Sequence, residues 1–281
     1  MRKKLKIALI THLFPSFREP HIGKFMLDQF IATRSIKHIN MNLLVPTPRA
    51  IFWTKRWKNN NSALIDVSIK DKRIFYTSLP NRIIPKFIQK NIGTTLLSNL
   101  VIDRPDIVHI HWIYPSGLAI PILKKAGFPI ILTIHGSDWY KSLAYEQLRP
   151  LLFEVLNCCD LILCSGPKLK EDILNELPFL KEKTKLIYNY INTKNYLYKP
   201  LQKFQKMNQL NWHRDEKHIL CVANIRKEKG IDILIDAIEY LNESPNFQSL
   251  DSDHPIVFHI IGKQDSSDYV KDIKNRIYSN K

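Results

Sequence analysis

Short apolar runs alternate with amphipathic helical patterns along most of this 281-residue chain. Runs such as Leu5–Thr11, Asp106–Trp112 and Pro129–His135 are too uniformly apolar for strands with one wet face, so they predict a sheet that is buried on both sides. Helical patterns follow them, as in Lys24–Ile36, where the apolar residues recur at helical spacing. Such β-α alternation predicts the α/β class, with a parallel sheet covered by helices on both faces.

The same reading predicts the remaining elements. The predicted strands are Met41–Val45, Asp160–Ser165, Lys185–Asn189, His218–Ala223 and Ile256–Gly262, with an added hairpin of Ala63–Ile69 and Arg73–Thr77. The predicted helices are Ile84–Val101, Gly117–Ala126, Tyr145–Asn157, Pro167–Glu176, Glu228–Leu241 and Asp268–Tyr278.

The β-α rhythm breaks once, at residues 194–216. This stretch is polar, rich in Lys, Gln and Asn, and contains Pro200, which is typical of an inter-domain linker. We therefore expect a complete first domain at residues 1–193 and a second domain at residues 217–281. The second domain has only two predicted strands and two helices, about half of a doubly wound fold.

The start of the second domain has the outline of an anion site. An apolar strand leads into a loop that carries Arg226 and Lys229, and a helical pattern opens at Gly230. A helix N-terminus offers unpaired N–H groups and partial positive charge, to which the two side chains add full charges. The alternative is an ordinary solvated surface loop.

In an open α/β sheet, ligands bind where loops leave the carboxyl ends of the strands. Gly23 closes the long loop after the first strand, where a glycine lets a ligand approach the backbone, although a simple turn or cap needs a glycine as well. His135 and Asp138 follow another strand and could hydrogen-bond a polyol such as a sugar, although a histidine there could merely cap the next helix. His109 and His111 share a strand face, but no third ligand has suitable spacing, so we expect no metal site.

The net charge of +16 is concentrated in the first 100 residues, which hold 18 Lys and Arg against 4 Asp and Glu. Three interpretations stay open: a solvated basic face, docking on an anionic membrane, and nucleic-acid binding. The segment Phe52–Lys58 interleaves aromatics with cations, and the pattern Arg82–Lys90 could place Ile84, Phe87 and Ile88, with Ile92, on one helix face, as membrane docking requires. No nucleic-acid-binding motif accompanies the charge, so we expect no nucleic-acid partner.

Composition narrows the class of protein further. The four cysteines form no C-x-x-C pair, which favours plain thiols in a reducing compartment over a zinc site. The apolar run after the basic N-terminus is too short for a signal peptide, and no run is long enough to span a membrane. We expect a cytoplasmic protein.

Four motifs in this order resemble those of family 4 glycosyltransferases, in particular the subgroup that builds teichuronic acid and exopolysaccharides. They are Thr11–Ser16 with Gly23 and Phe25, Val108–Trp112 with Tyr114, Pro115 and Gly117, Thr133–Asp138, and Val222–Gly230. The resemblance implies the GT-B architecture, two Rossmann-like domains facing each other across a cleft. The first domain would bind the acceptor and the second the nucleotide diphosphate sugar. It also implies a retaining reaction that needs no metal or other cofactor.

The resemblance also assigns roles to individual residues. Gly23 matches the glycine whose backbone approaches the donor phosphate, and His135 matches the catalytic histidine that contacts the donor sugar. Lys229, with Arg226, would bind the diphosphate, while His111 and Asp138 are candidates for acceptor or sugar contacts.

Two positions depart from the family pattern. Asn224 stands where the family often has Arg, and Tyr190 where a Gly is usual. The paired glutamates that hold the donor's hydroxyls would lie beyond position 281, so the expectation is a truncated second domain and no transfer by these 281 residues alone.

The acceptor is expected to be a saccharide or a lipid-linked saccharide at the inner face of the cytoplasmic membrane. That location agrees with the basic, aromatic-bearing first third of the chain. The rival expectation from another class is a catalytically dead module that binds anionic membranes.

Overall fold

A computed structural model describes residues 3–17, 19–50, 72–78, 84–189, 191, 193, 200–213, 215–244, 255–264 and 267–279. The chain divides into two compact units, Met1–Asn195 (unit 1) and Tyr196–Lys281 (unit 2). The predicted strand Ala63–Ile69, the segment Phe52–Lys58 and Tyr190 lie outside the described residues.

Unit 1 is built on a seven-stranded sheet in which all neighbouring strands are parallel. Its strands are β1 (Leu5–Ile10), β2 (Ile39–Ala50), β3 (Lys72–Ser78), β4 (Ile107–His111), β5 (Ile130–Ile134), β6 (Leu161–Cys164) and β7 (Thr184–Leu186). Their spatial order is β3-β2-β1-β4-β5-β6-β7. The chain therefore reverses its direction across the sheet between β1 and β4, and the crevice at the carboxyl ends of these two strands is the topological switch point.

The helices of the described part of unit 1 cover both faces of this sheet. They are α1 (Lys24–Arg34), α2 (Pro85–Asp103), α3 (Ile120–Lys125), α4 (Ser137–Leu143), α5 (Arg149–Cys158) and α6 (Pro167–Glu176). Successive β1 residues point to opposite faces of the sheet. Leu9 packs in the hydrophobic cluster that contains residues of α1, and Ile10 packs in the cluster that contains residues of α2. The parallel sheet with two covered faces is confirmed.

β2 runs five residues further than predicted, through Pro46 and Pro48. Proline lacks the N–H that a central strand needs, which is why the prediction ended at Val45. The carbonyl of Leu44 accepts from Thr11 N on the β1 side, so the next alternate positions, Pro46 and Pro48, also point to that side. β1 has already ended at this point, so the N–H groups that the prolines lack have no β1 carbonyl to pair with.

β3 corresponds to the predicted strand Arg73–Thr77 and pairs with β2 in parallel, from Leu44↔Lys72 to Ala50↔Ser78. Its predicted hairpin partner, Ala63–Ile69, lies outside the described residues, so the hairpin stays a prediction. β3 and the far half of β2 thus extend beyond the carboxyl end of β1 and stand beside the loop that follows it.

The apolar face of α2 is another correction. Ile88 and Ile92 are 1% and 0% exposed and lie in the core of unit 1, Phe87 is half-buried, and Ile84 is exposed. A face that packs against the sheet cannot also enter a membrane, so α2 does not supply the predicted apolar docking face.

The predicted helix Tyr145–Asn157 starts later than expected. A short 3₁₀ turn at Glu146–Leu148 precedes α5, which begins at Arg149 with Pro150 in its first turn. Proline is favoured in a first helical turn and disruptive further in.

Unit 2 contains α7 (Pro200–Gln209), β8 (Lys217–Val222), α8 (Ile231–Glu243), β9 (Ile256–Ile261) and α9 (Asp268–Ser279). β8 and β9 pair in parallel, with Lys217 opposite Ile256. Residues of α8 and α9, among them Ile235 and Ile273, form its small core with Ile225. α7 lies within the stretch that was expected to be a linker.

Candidate active site

The first component of the site is the loop between β1 and α1. Gly23 precedes α1 in the left-handed conformation, with φ 68°. A Cβ added there would lie 2.5 Å from the carbonyl oxygen of Leu13, which is far inside van der Waals contact. The turn itself therefore requires glycine, and it brings the N-terminus of α1 against the loop that carries His12.

The second component follows β4 on the other side of the switch point. Trp112 is buried, takes a left-handed φ of 68° and donates its backbone N–H to the Thr133 carbonyl at 2.9 Å. His12 packs edge-on against Trp112, with ring centroids 5.0 Å apart. His12 Nδ1 lies 3.1 Å from Ser116 Oγ, so the loops after β1 and β4 are joined at the crevice.

The third component is the turn after β5, which Asp138 holds in place. Its carboxylate accepts the backbone N–H of Ile113 at 2.7 Å and that of His135 at 3.0 Å. Asp138 is only 6% exposed, so both oxygens serve the backbone. The structure thus shows Asp138 fixing two strand-end loops, and the acceptor or sugar contact expected from the sequence stays a prediction.

His111 and His135 meet where these loops converge. His111 Nδ1 lies 2.9 Å from His135 Nε2, and the rings stack with centroids 5.2 Å apart. Trp112 and Phe25 pack on His135 at 4.5 and 5.3 Å. Among the residues that the structure describes, the imidazole of His135 has one hydrogen-bonding neighbour, His111, and it lies against the aromatic rings of Trp112 and Phe25.

Burial keeps the histidines of this site uncharged at neutral pH. Desolvation lowers the pKa of His135 to about 4, that of His109 to about 4 and that of His12 to about 3. It also lowers the pKa of His111 well below the usual value. Neutral imidazoles donate and accept hydrogen bonds without carrying charge, which suits the hydroxyl groups of a neutral polyol.

Unit 2 presents a different chemistry at the carboxyl end of β8. Ile225 is buried, whereas Arg226 and Lys229 are exposed. Lys227–Lys229 forms a 3₁₀ turn, and Gly230, at φ 62°, leads into α8. Two cations beside the start of a 13-residue helix can bind an anion such as a phosphate.

One family profile, Glycosyltransferase Family 4, matches residues 54–195, just over half of the chain. The chain belongs to glycosyltransferase family 4. A second profile, Glycosyl transferases group 1, matches residues 202–281. The two profiles meet near the boundary between unit 1 and unit 2.

Curated family relatives agree with this assignment. A Bacillus subtilis protein named as a teichuronic acid biosynthesis glycosyltransferase is 25% identical over 256 residues, which cover 86% of this chain and 64% of that protein. An uncharacterized glycosyltransferase of Methanocaldococcus jannaschii is 31% identical over 235 residues, 83% of this chain and 58% of that protein. The chain thus spans roughly 60% of the length of these relatives.

Solved structures confirm the fold. Anabaena HepE, crystallised with UDP and glucose, superposes with a TM-score of 0.61 at 16% identity, covering 98% of this chain and 66% of that one. The fold is of the GT-B type found in glycosyltransferases, as the resemblance implied.

Sequence reasoning named Asp138 without its hydrogen bonds to the backbone, and it missed Gly262. Asp138 was a candidate ligand contact, although an acidic residue three positions after a strand-end His could have suggested a backbone acceptor. Gly262 was counted only as the end of a strand. A Cβ on it would lie 1.8 Å from the Ala223 carbonyl oxygen, so glycine lets β9 end against the start of the Arg226 loop.

Two absences concern the described residues alone. Within them, no three His, Cys, Asp or Glu side chains are grouped so that they could hold a metal ion. None of the helices in the same part of the chain combines the length and apolarity that a membrane-spanning segment requires.

Proposed function

We propose that the protein transfers a sugar, with retention of configuration, from a nucleotide diphosphate sugar to a saccharide or lipid-linked saccharide in cell-surface polysaccharide synthesis. The observation that carries the proposal is the division of chemistry between the two units. In unit 1, the neutral imidazoles of His111 and His135 lie beside aromatic rings at the carboxyl ends of β4 and β5. In unit 2, an exposed cationic loop follows β8. A sugar and a diphosphate need these two environments.

Arg226 and Lys229 would stabilise the leaving diphosphate. Glycosyl transfer places negative charge on that group in the transition state, and preorganised cations lower the energy of such charge. In this proposal the side chains do what a divalent metal does elsewhere, so the reaction requires no metal. The UDP and glucose found with HepE support a nucleotide sugar as the donor.

His135 would act at the sugar. Its neutral ring can hydrogen-bond a hydroxyl near the reacting carbon, and the backbone at Gly23, just before α1, would approach a donor phosphate. The relation to a teichuronic acid glycosyltransferase supports an acceptor in the cell envelope.

The first experiment measures the binding of UDP to the donor loop. An NMR titration, which can detect millimolar affinity, monitors the binding. Replacing Arg226 and Lys229 together by Gln should weaken binding at least about tenfold, because charge-assisted hydrogen bonds contribute about 1.5–3 kcal/mol each. Lys217→Gln is the matched control, since Lys217 is the first residue of β8 and lies at the end of that strand opposite to the Arg226 loop. Equal binding by the double variant and the parent, or an equal loss in Lys217→Gln, would contradict a specific diphosphate site.

We further propose that the protein works on the inner face of the cytoplasmic membrane, bound peripherally. The support is the sequence of Trp53, Lys55, Arg56, Trp57 and Lys58 within a first third of net charge +14. Aromatic rings favour the headgroup region, and each nearby cation adds about 1 kcal/mol on an anionic surface.

Sedimentation with anionic vesicles tests this location. The parent should pellet, whereas Trp53→Ala/Trp57→Ala and the parent at high salt should stay in the supernatant. Phe179→Ala/Tyr240→Ala removes two other aromatics, which are 65% and 74% exposed, and should pellet like the parent. Equal pelleting by both double variants would show that the charge alone, or another surface, does the binding.

A further inference from the structure

The start of α8, which follows the cationic loop, is held by a side chain from α9. The hydroxyl of Tyr269, the second residue of α9, accepts the backbone N–H of Asp232 at 3.2 Å and donates to Asp232 Oδ1 at 2.9 Å. Val270 and Ile273 of α9 pack with Ile231 in the core of unit 2, so the position of Tyr269 is fixed by its neighbours.

A helix normally begins with four backbone N–H groups that have no partner within the helix. In α8 they belong to residues 230–233. The N–H of Gly230 donates to the Lys227 carbonyl at 3.1 Å, and that of Asp232 donates to Tyr269. These contacts alone give a partner to two of the four N–H groups.

The N–H groups of Ile231 and Ile233 point at the same pair of side chains. Hydrogen bonds from the Tyr269 hydroxyl and from the N–H groups of Ile233 and Asp232 lower the pKa of the Asp232 carboxyl. Burial raises the pKa of Tyr269, and N–H groups of Asp232 and Ile231 that point at its oxygen offset part of the rise. All four N–H groups at this helix end thus have a partner inside unit 2, and none is left for a bound anion.

The same contacts place an ionised carboxylate beside the cationic loop. Asp232 lies three residues after Lys229, and its lowered pKa keeps it deprotonated at neutral pH. Among the described residues, the ion pairs of unit 2 involve neither Arg226 nor Lys229. An anion bound by these two cations therefore has a fixed negative charge nearby.

We propose that Asp232 is a specificity-determining residue of the donor loop: its carboxylate disfavours a free terminal phosphate and so favours a diphosphate that is esterified to a sugar. The proposal rests on the function proposed above, in which Arg226 and Lys229 bind the diphosphate. A terminal phosphate carries a charge of about −1.5 to −2 at pH 7. Esterification to a sugar removes its second ionisation, so the intact donor is repelled less than the nucleoside diphosphate that remains after transfer.

NMR titrations with UDP and UDP-glucose test this selectivity as the ratio of the two affinities. Asp232→Asn keeps an oxygen that can accept from Tyr269 and loses the charge. It should bind UDP about two- to fivefold more tightly than the parent does, the size typical of one charge pair at a protein surface, and UDP-glucose should gain less. The ratio should therefore shift towards UDP, and Asp232→Glu, which keeps the charge, should retain the ratio of the parent.

Glu243→Gln is the matched control, since it also removes one negative charge from α8. Glu243 ends the helix, eleven residues after Asp232, which is about 17 Å at the helical rise. That distance exceeds the screening length of about 8 Å at physiological ionic strength. Glu243→Gln should therefore bind both nucleotides as the parent does.

Amide hydrogen exchange tests the cap of α8 without a nucleotide. The N–H of Asp232 should be protected in the parent, and Tyr269→Phe should speed its exchange by about tenfold or more, because the accepting hydroxyl is gone. Tyr240→Phe removes a hydroxyl from the outer side of α8, where Tyr240 is 74% exposed, and should leave the exchange of Asp232 unchanged.

Two results would overturn the proposal while leaving the donor loop in place. One is binding of both nucleotides with the same affinity ratio in the parent and in Asp232→Asn. The other is unprotected exchange of the Asp232 N–H in the parent, which would mean that the end of α8 is open to an anion. If neither nucleotide binds to the parent, the proposed donor loop itself is wrong, and the selectivity proposed for Asp232 is wrong with it.

Discussion

Gly23 in unit 1 and Gly230 in unit 2 occupy equivalent places, each just before the helix that follows a strand-end loop. Both are left-handed, with φ 68° and 62°. Their surroundings differ: a Cβ on Gly23 meets the Leu13 backbone at 2.5 Å, whereas one on Gly230 meets only the end of the Ile233 side chain at 3.4 Å. The unit 1 loop therefore packs closely at its glycine, whereas the unit 2 loop is open at its glycine and carries the exposed Arg226 and Lys229.

The difference shows how one supersecondary unit serves two kinds of chemistry. In unit 1 the strand ends are packed against each other, so burial removes charge from the histidines and fixes their hydrogen bonds. In unit 2 the loop after β8 holds the side chains of Arg226 and Lys229 in solvent. The two regions should therefore respond to mutation and pH in different ways.

The largest expected effect is acid destabilisation of unit 1. The histidine pKa values of His12, His109, His111 and His135 are depressed in the folded state, so the unfolded chain binds more protons between about pH 4 and 6.5. Stability is then present above pH 6.5 and is lost as pH falls, by about 1.4 kcal/mol per pH unit for each histidine.

Asp138 opposes this trend. Burial raises its pKa to about 6, so the folded state binds its proton more readily, and stability from this group is gained as pH falls from about 6 towards 4. One carboxyl offsets one of four histidines, and net destabilisation in acid is expected. The pH dependence of the stability of unit 1 can be measured between pH 7 and 5 by denaturant unfolding that is monitored by residue-resolved hydrogen exchange. His109→Gln should reduce the slope of the unfolding free energy against pH by the equivalent of one proton. An unchanged slope would contradict the depressed pKa of His109.

Asp138→Ala is expected to destabilise unit 1 by about 2–5 kcal/mol. It strips the acceptor from the backbone N–H groups of Ile113 and His135, and each buried unsatisfied donor costs about 1–3 kcal/mol. Asp138→Asn retains one acceptor oxygen and should cost less. Asp103→Ala, an exposed carboxylate at the end of α2, should stay within about 0.5 kcal/mol. Urea denaturation of the three variants decides whether Asp138 holds the two loops.

The paired glycines give a smaller and more pointed comparison. A left-handed conformation costs an alanine about 1–2 kcal/mol, so Gly230→Ala should destabilise unit 2 by that amount. Gly23→Ala adds a clash with backbone atoms, and overpacking costs about 1–3 kcal/mol more. If the two variants lose equal stability in the same unfolding assay, the closer packing inferred for the unit 1 loop is wrong.

The smallest expected effect on stability is in the cationic loop. Arg226 and Lys229 are exposed, and surface substitutions away from caps and cores usually change stability by less than about 0.5 kcal/mol. Replacing both by Gln should leave the thermal midpoint of unit 2 almost unchanged while UDP binding falls. A large loss of stability would mean that the loop is a structural element of unit 2 first.

Much of the fold could be predicted from local patterns. Apolar runs located most of the strands of unit 1, because a strand that is covered on both faces has few positions for polar side chains. The errors fell where a local rule was overridden by the neighbours: β2 continues through Pro46 and Pro48 because β1 has already ended beside them. The helix face of Ile88 and Ile92 looked amphipathic enough for a membrane, but the sheet covers it.

The candidate site divides in the same way. The positions of Gly23, His111, His135, Arg226 and Lys229 at strand ends follow from the sequence, since a β-α rhythm fixes where each loop leaves the sheet. Which of them meet could not be predicted from the sequence. The contact between His111 and His135 joins residues 24 positions apart, and it exists because β4 and β5 are hydrogen-bonded neighbours.

The sequence by itself determined the class of fold, the family and the charged character of the Arg226 loop, because apolar periodicity, short motifs and ionisable side chains are local properties. The tertiary structure alone decided the protonation of the histidines and the use of Asp138. Both depend on how completely neighbouring strands and loops exclude water. Burial of a group is set by residues distant in sequence, and in this protein it turns four histidines into neutral hydrogen-bonding groups.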